Sequence, residues 1–231
     1  MELNLVQTIA VYALPVILAI TLHEAAHGYV ARHFGDYTAY LEGRVSLNPL
    51  RHIDPVGTVA VPLFLLVASK LLGGGILFGW AKPVPVNYAN LRSPKRDMLW
   101  VAAAGPASNL AMALFWAAAV KVGLAMPESY FAMPLALMGA AGVFINVIIM
   151  VLNLVPLPPL DGGRILVSLL PHRLAYAVSR IEPYGFLILI VLLFTGALGW
   201  VLWPAIGAVM VLLGGIFDLP VAVILRLAGV L

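Results

Sequence analysis

Cysteine is absent from the 231 residues, and charged side chains make up only 10% of them. The first absence excludes disulfides, iron-sulfur clusters and thiolate zinc sites, so any bound metal must be held by histidine and carboxylate. It says little about compartment. The second excludes an ordinary soluble domain, in which about a quarter of residues are charged. Concentrated positive charge is also missing. The net charge of +3 is spread through loops and forms no stripe, so nucleic acid is not an expected partner. There is no fixed-period repeat and no low-complexity tract; the Leu-Leu-Gly-Gly-Gly stretch at 71–75 is the nearest thing to a linker.

What remains is apolar. Hydrophobic residues are 63% of the chain, in runs near 5–22, 56–79, 98–120, 133–155, 185–203 and 204–225. Each is about the 17 to 25 residues that cross a bilayer core. The first is too long for a signal-peptide core and lacks a basic leader, so it is expected to stay in the mature protein. The lipid bilayer is therefore the expected surroundings of the whole chain.

Basic residues set the orientation. They cluster at Arg32, Arg44 and Arg51; at Lys82, Arg92, Lys95 and Arg96; and at Arg164, Arg173 and Arg180. The positive-inside rule asks that all three clusters face the cytoplasm. A simple span at 56–79 would break that parity, whereas a re-entrant or hairpin element restores it. Pro62 and the glycines at 73–75 favour such a break. The last two runs then form a pair of spans, with Trp200, Trp203 and Pro204 at the outer turn. Alternating polarity around Arg44 to Leu47 predicts a short cytoplasmic-side β-strand. The prolines of the segment beginning at Lys82 predict an extended edge or rim.

One short stretch carries chemistry. In "ITLHEAAHGYVARHFGD", residues 20–36, His23 and His27 lie four apart and share a helix face, so both imidazoles can reach one ion. Glu24 lies beside them, where it could accept a proton from water. A catalytic zinc uses three protein ligands, so a third is needed. Asp161 in "NLVPLPPLDGGR" is the best candidate, presented from a turn opened by Gly162 and Gly163. It could instead cap a helix over 162–170, and one carboxylate can do both. Leu5 to His23 is about 27 Å of helix against a hydrocarbon core of about 30 Å, which sets the motif just within the cytoplasmic edge.

"HEAAH" closing a first core span, with "NLVPLPPLDGG" far downstream, resembles the site-2 protease family of intramembrane zinc metalloproteases, in its short bacterial and archaeal form. "GRVSLNPLRHIDPVGT", "GWAKPVPVN" and "AAAGPASNLAMA" are similar to that family as well, so the resemblance covers at least residues 20–165. It implies one Zn2+ held by His23, His27 and Asp161, with Glu24 as the base. Asn153, Pro156 or Pro158, Asp161 and Gly162 then fill the second family motif. Asn153 could stabilise a developing oxyanion, or could bond between spans. Asn109 reads as a packing residue beside Gly105, Ala107 and Ser108, and His33, His52 and His172 read as interfacial.

The expected protein is thus all-α and polytopic, with about five to six transmembrane helices, a re-entrant or hairpin element and short cytoplasmic-side β-strands. Residues 1–231 form a single integral-membrane metalloprotease domain, with a catalytic core at about 5–170 and a C-terminal helix pair at about 184–226. Its partner is a transmembrane protein substrate, unwound by strand addition to the segments near 40–48 and 82–88. Its place is a prokaryotic plasma membrane, with the active site near the cytoplasmic face. A transporter or other metal-binding membrane protein would use the same His and Asp ligands and would have no need of Glu24.

Overall fold

The computed structural model describes residues 3–61, 64 and 81–230. Helix α1 (Leu5–His33) starts at Asn4, whose side chain accepts from the Gln7 N–H while the Gln7 side chain accepts from the Asn4 N–H. This reciprocal cap satisfies two of the donors that a helix start leaves open. Arg32 and His33 sit in the last turn, where the helix dipole favours positive charge. A short turn, α2 (Thr38–Leu41), follows. Three single-turn elements follow, at Pro49–Arg51, Pro55–Ala60 and Tyr88–Asn90.

Helices α3 (Pro94–Leu124) and α4 (Ala132–Asn153) make up the centre. Helix α3 has Pro94 in its first turn, and the Asp97 carboxylate takes the Ser93 N–H at 2.7 Å. Its buried stripe of Val101, Ala102, Gly105, Asn109, Ala113, Trp116, Ala117 and Val120 meets a stripe of α4 rich in Gly and Ala. Lipid gives apolar side chains no reason to avoid it, so close approach through small residues is what holds such helices together. Helix α1 packs against both α3 and α4.

The rest of the chain is laid around this trio. Helix α5 (Asp161–Leu169) lies on α3, and α6 (His172–Ser179) follows it. Helices α7 (Glu182–Phe194), α8 (Ala197–Phe217) and α9 (Val221–Leu227) complete the chain. Ile206, Met210, Leu213 and Ile224 add to the main core. The Tyr12 hydroxyl donates to the Ala228 carbonyl at 2.6 Å, tying α1 to the chain's last helix.

Among the described residues four helices, α1, α3, α4 and α8, are long and apolar enough to cross a membrane. The pair α6 and α7, bent by 61°, raises the number to five if it counts as one span. Three expectations change. No strand is present among the described residues, either at Arg44–Leu47 or after Lys82. Pro83 and Pro85 have no N–H to give a ladder. The donors that remain go elsewhere: Lys82 N–H to the His52 carbonyl, Val84 N–H to Glu24 and Asn87 N–H to Asp36.

The turn expected at Trp200–Pro204 falls instead at Thr195–Gly196, with Gly196 at φ 74°, and Pro204 lies inside α8. Only glycine takes that left-handed backbone without strain, and this outweighs the interfacial pull of the tryptophans. The third change is that α7 is a 13-residue helix, short of a full span by itself. The hairpin expected at 56–79 falls, apart from its first turn, outside the described residues.

Candidate metal centre

His23 and His27 project from the last third of α1, and Asp161 from the first turn of α5. These three are brought together: their ligand atoms all lie within 4.8 Å of one another. His23 Nε2 is 3.2 Å from His27 Nε2, and Asp161 Oδ2 is 3.2 Å and 3.4 Å from the two imidazole nitrogens. Asp161 is the first helical residue of α5, so the role of helix cap falls to Leu160 instead.

The tautomers follow from the surrounding hydrogen bonds. The Asn109 amide nitrogen donates to the Ala19 carbonyl and to Asn146 Oδ1, and Asn146 in turn donates to the Gly142 carbonyl. That fixes Asn109 Oδ1 toward His23, 2.6 Å from Nδ1. His23 Nδ1 must therefore carry the proton. His27 Nδ1 likewise donates to the Val101 carbonyl at 2.7 Å. Both Nε2 atoms are then bare lone pairs.

The third atom is also an acceptor. It belongs to the Asp161 carboxylate, which the bare Nε2 atoms cannot supply with a proton. Its Oδ2 is buried and has no hydrogen-bond partner. Three acceptor atoms converging on one point in a buried site repel one another unless a cation lies between them. Zinc bonds of 2.0–2.2 Å in a tetrahedron would separate ligand atoms by about 3.3 Å, which matches the spacing found. The donor set of two nitrogens and one oxygen suits the same ion.

Helix α3 closes the site from one side. A Cβ at Gly105 would lie 2.4 Å from His27 Nε2 and 2.6 Å from His23 Nε2, so only glycine leaves room for the imidazoles. On the other side, a Cβ at Gly162 would meet the Leu154 carbonyl oxygen at 2.2 Å, so the 154–160 loop wraps the start of α5 at backbone contact. That wrap sets where Asp161 points.

Glu24 sits beside the cluster, with its Oε2 accepting the Val84 N–H at 2.8 Å. Asn153 closes α4, and its amide donates to the Ile149 carbonyl of its own helix at 3.0 Å; it makes no hydrogen bond to the cluster. His33 and His172 are exposed. His52, expected to be interfacial, is instead 2% exposed and donates from Nε2 to the Ser46 carbonyl at 2.8 Å. Asn109, expected only to pack, orients the His23 imidazole. The signal for it was an amide placed one helical turn after Gly105 in a stripe otherwise free of polar side chains.

Apolar spans and a buried His-His-carboxylate centre define a membrane metalloenzyme, and the helix carrying Glu24 next to the histidines narrows the class to metalloproteases. Comparison with known proteins agrees. The description of Peptidase family M50 matches residues 122–196. A Bacillus subtilis (strain 168) protein named "Putative zinc metalloprotease YwhC" is 38% identical over 195 residues, covering 83% of this chain and 84% of that protein. The Rip2 proteins, which carry the same zinc metalloprotease description, are 31% identical in Mycolicibacterium smegmatis and 29% in Mycobacterium tuberculosis strain H37Rv. These alignments cover 79% and 80% of this chain and 66% and 67% of the relatives. No solved structure matches. The chain belongs to peptidase family M50. It is an integral membrane protein and a zinc metalloendopeptidase.

Proposed function

We propose that the protein is an intramembrane endopeptidase that cleaves transmembrane helices of other proteins, with zinc held by His23, His27 and Asp161 and with Glu24 as the base. The observation that carries this reading is the convergence of three bare acceptor atoms at the end of a membrane span. Bound there, zinc would polarise the scissile carbonyl and lower the pKa of water to about 7.

The chain's own residues supply the rest. Asn109 and the Val101 carbonyl hold the imidazoles in the one tautomer that offers Nε2. Glu24 takes the proton from the attacking water and passes it to the leaving amine. Asn153 would serve the oxyanion after turning its amide away from the Ile149 carbonyl. A helical substrate must unwind first, and the irregular backbone at 42–48 and 81–87 lies beside Glu24 to receive the extended stretch. With the basic clusters on one side, the site faces the cytoplasm of a prokaryotic plasma membrane.

Glu24→Gln in purified protein, given a substrate with one transmembrane helix, tests the reading. Cleavage of that helix by the wild type and its loss in the variant, with zinc content unchanged, is the expected outcome. A wild type that cuts soluble unfolded chains and leaves transmembrane helices intact would remove the intramembrane part.

A further inference from the structure

The motif around Arg44 and His52 takes no part in holding the metal, yet both side chains are buried: Arg44 is 8% exposed and His52 2%. Arg44 has no carboxylate partner among the described residues, and its Nε finds no hydrogen bond. A buried guanidinium left without an anion is costly, so what it does bond is informative. Its Nη2 donates to the Lys82 carbonyl at 2.9 Å and to the Pro83 carbonyl at 3.2 Å.

The Pro83 carbonyl and the Val84 N–H belong to one peptide group. That N–H is the donor to Glu24 Oε2. Because the peptide is a planar, delocalised unit, a cation on its oxygen draws electrons from its nitrogen and strengthens the N–H as a donor. Val84 is flanked by Pro83 and Pro85, which have no N–H, so this short stretch offers Glu24 one donor only. The segment is pinned from its other end as well, where the Lys82 N–H donates to the His52 carbonyl at 2.9 Å. His52 itself is held by the Ser46 carbonyl, two residues from Arg44.

We infer that Arg44 is a positioning residue for the catalytic base, acting through the Pro83–Val84 peptide. The guanidinium grips the peptide from one side and the Glu24 carboxylate takes it from the other, which fixes Oε2 and leaves Oε1 to accept the proton. His52 sets the height of the segment over α1, where the side chains of Val45 and Val84 pack above Gly28. This inference rests on Glu24 being the base; it does not depend on the substrate being transmembrane.

The test uses full-length, zinc-loaded protein in detergent, assayed on unfolded casein and on a substrate with one transmembrane helix. Val84→Pro removes the N–H from a stretch that its neighbours already hold extended. It should lower kcat by about 10- to 100-fold, the range for removing a group that orients an active-site residue, with KM and zinc content unchanged. Val84→Ala, which keeps the N–H, retains most of kcat. Arg44→Met should match Val84→Pro, Arg44→Lys should recover part of the loss, and the double variant should be no worse than either single one, since both break the same link.

Amide exchange gives a readout apart from activity: exchange in 82–86 should accelerate in Glu24→Ala and in Arg44→Met alike. A Val84→Pro protein with wild-type or higher kcat overturns the inference, and so do multiplying losses in the double variant. Loss of zinc in the single variants would mark the contacts as structural and overturn it too. If the wild type cuts casein and spares the transmembrane helix, the proposed substrate fails while the Arg44 inference is still read on casein.

Discussion

Where His23 and His27 meet α3 and α4, every polar neighbour is a helix residue in a packed core: Asn109 and Asn146 are fully buried, and Val101 supplies a helix carbonyl. Where Glu24 meets the rest of the chain, its partner is irregular backbone pinned by single side chains. Metal ligands must hold still to within a few tenths of an ångström, and helices locked by small-residue packing provide that. In the proposed reaction the base must stay within reach of a proton while a substrate comes and goes, and a loop segment held by a few hydrogen bonds tolerates such traffic. The two halves of the centre therefore differ in stiffness as well as in chemistry.

The contrast breaks most completely at Gly105. Gly105→Ala places a methyl within 2.4 Å of His27 Nε2, and is expected to abolish zinc binding and proteolysis together, as measured by metal analysis of the purified protein. A smaller loss on the same helical side follows from Asn109→Leu, which strands the His23 Nδ1 proton and the Asn146 carbonyl in a dry core. Zinc affinity should fall by about 10- to 100-fold, read by chelator competition, and activity should return as zinc is added.

On the loop side the expected effect is on stability rather than metal. Asp36 is 1% exposed and accepts from the Thr38 and Asn87 N–H groups and from the Asn90 amide, so it clamps the end of α1 to the segment after Val86. Burial raises its carboxyl, and the hydrogen bonds from Thr38, Asn87 and Asn90 more than offset that and lower it. A lowered carboxyl stabilises the fold fully above the ordinary carboxyl pKa, and the contribution is lost as pH falls through the lower folded value. Asp36→Asn should cost about 2 kcal/mol at neutral pH, the scale of a hydrogen bond to a charged group, and flatten the acid limb of thermal stability. The mildest case is Glu182→Gln. Its half-exposed contact with Arg164 at 3.4 Å should contribute under about 1 kcal/mol, with zinc content and cleavage unchanged.

The parts legible in the sequence are those written at short range. His23, Glu24 and His27 share one helical turn, and Asp161 stands in a proline-glycine break that no other carboxylate in the apolar core occupies. The contacts that complete the site join α1 to distant segments, Asn109 to His23 and Val84 to Glu24, and no local periodicity encodes them. Alternating polarity around Arg44 reads as a strand, since that pattern alone implies one face in water and one face buried. Arg44 and His52 instead turn inward to hold backbone carbonyls. Tryptophans placed the last turn eight residues late, because an interfacial preference says where a ring can rest and not where the backbone reverses.

The site also joins two pieces of chain that lie far apart in sequence. His23 belongs to α1 and Asp161 to a helix that follows the whole α3–α4 core. An ion bridging them would close the large loop between, removing freedom that the open chain would otherwise keep. Zinc held there would thus act as a fastener, stabilising the folded chain as well as serving its chemistry.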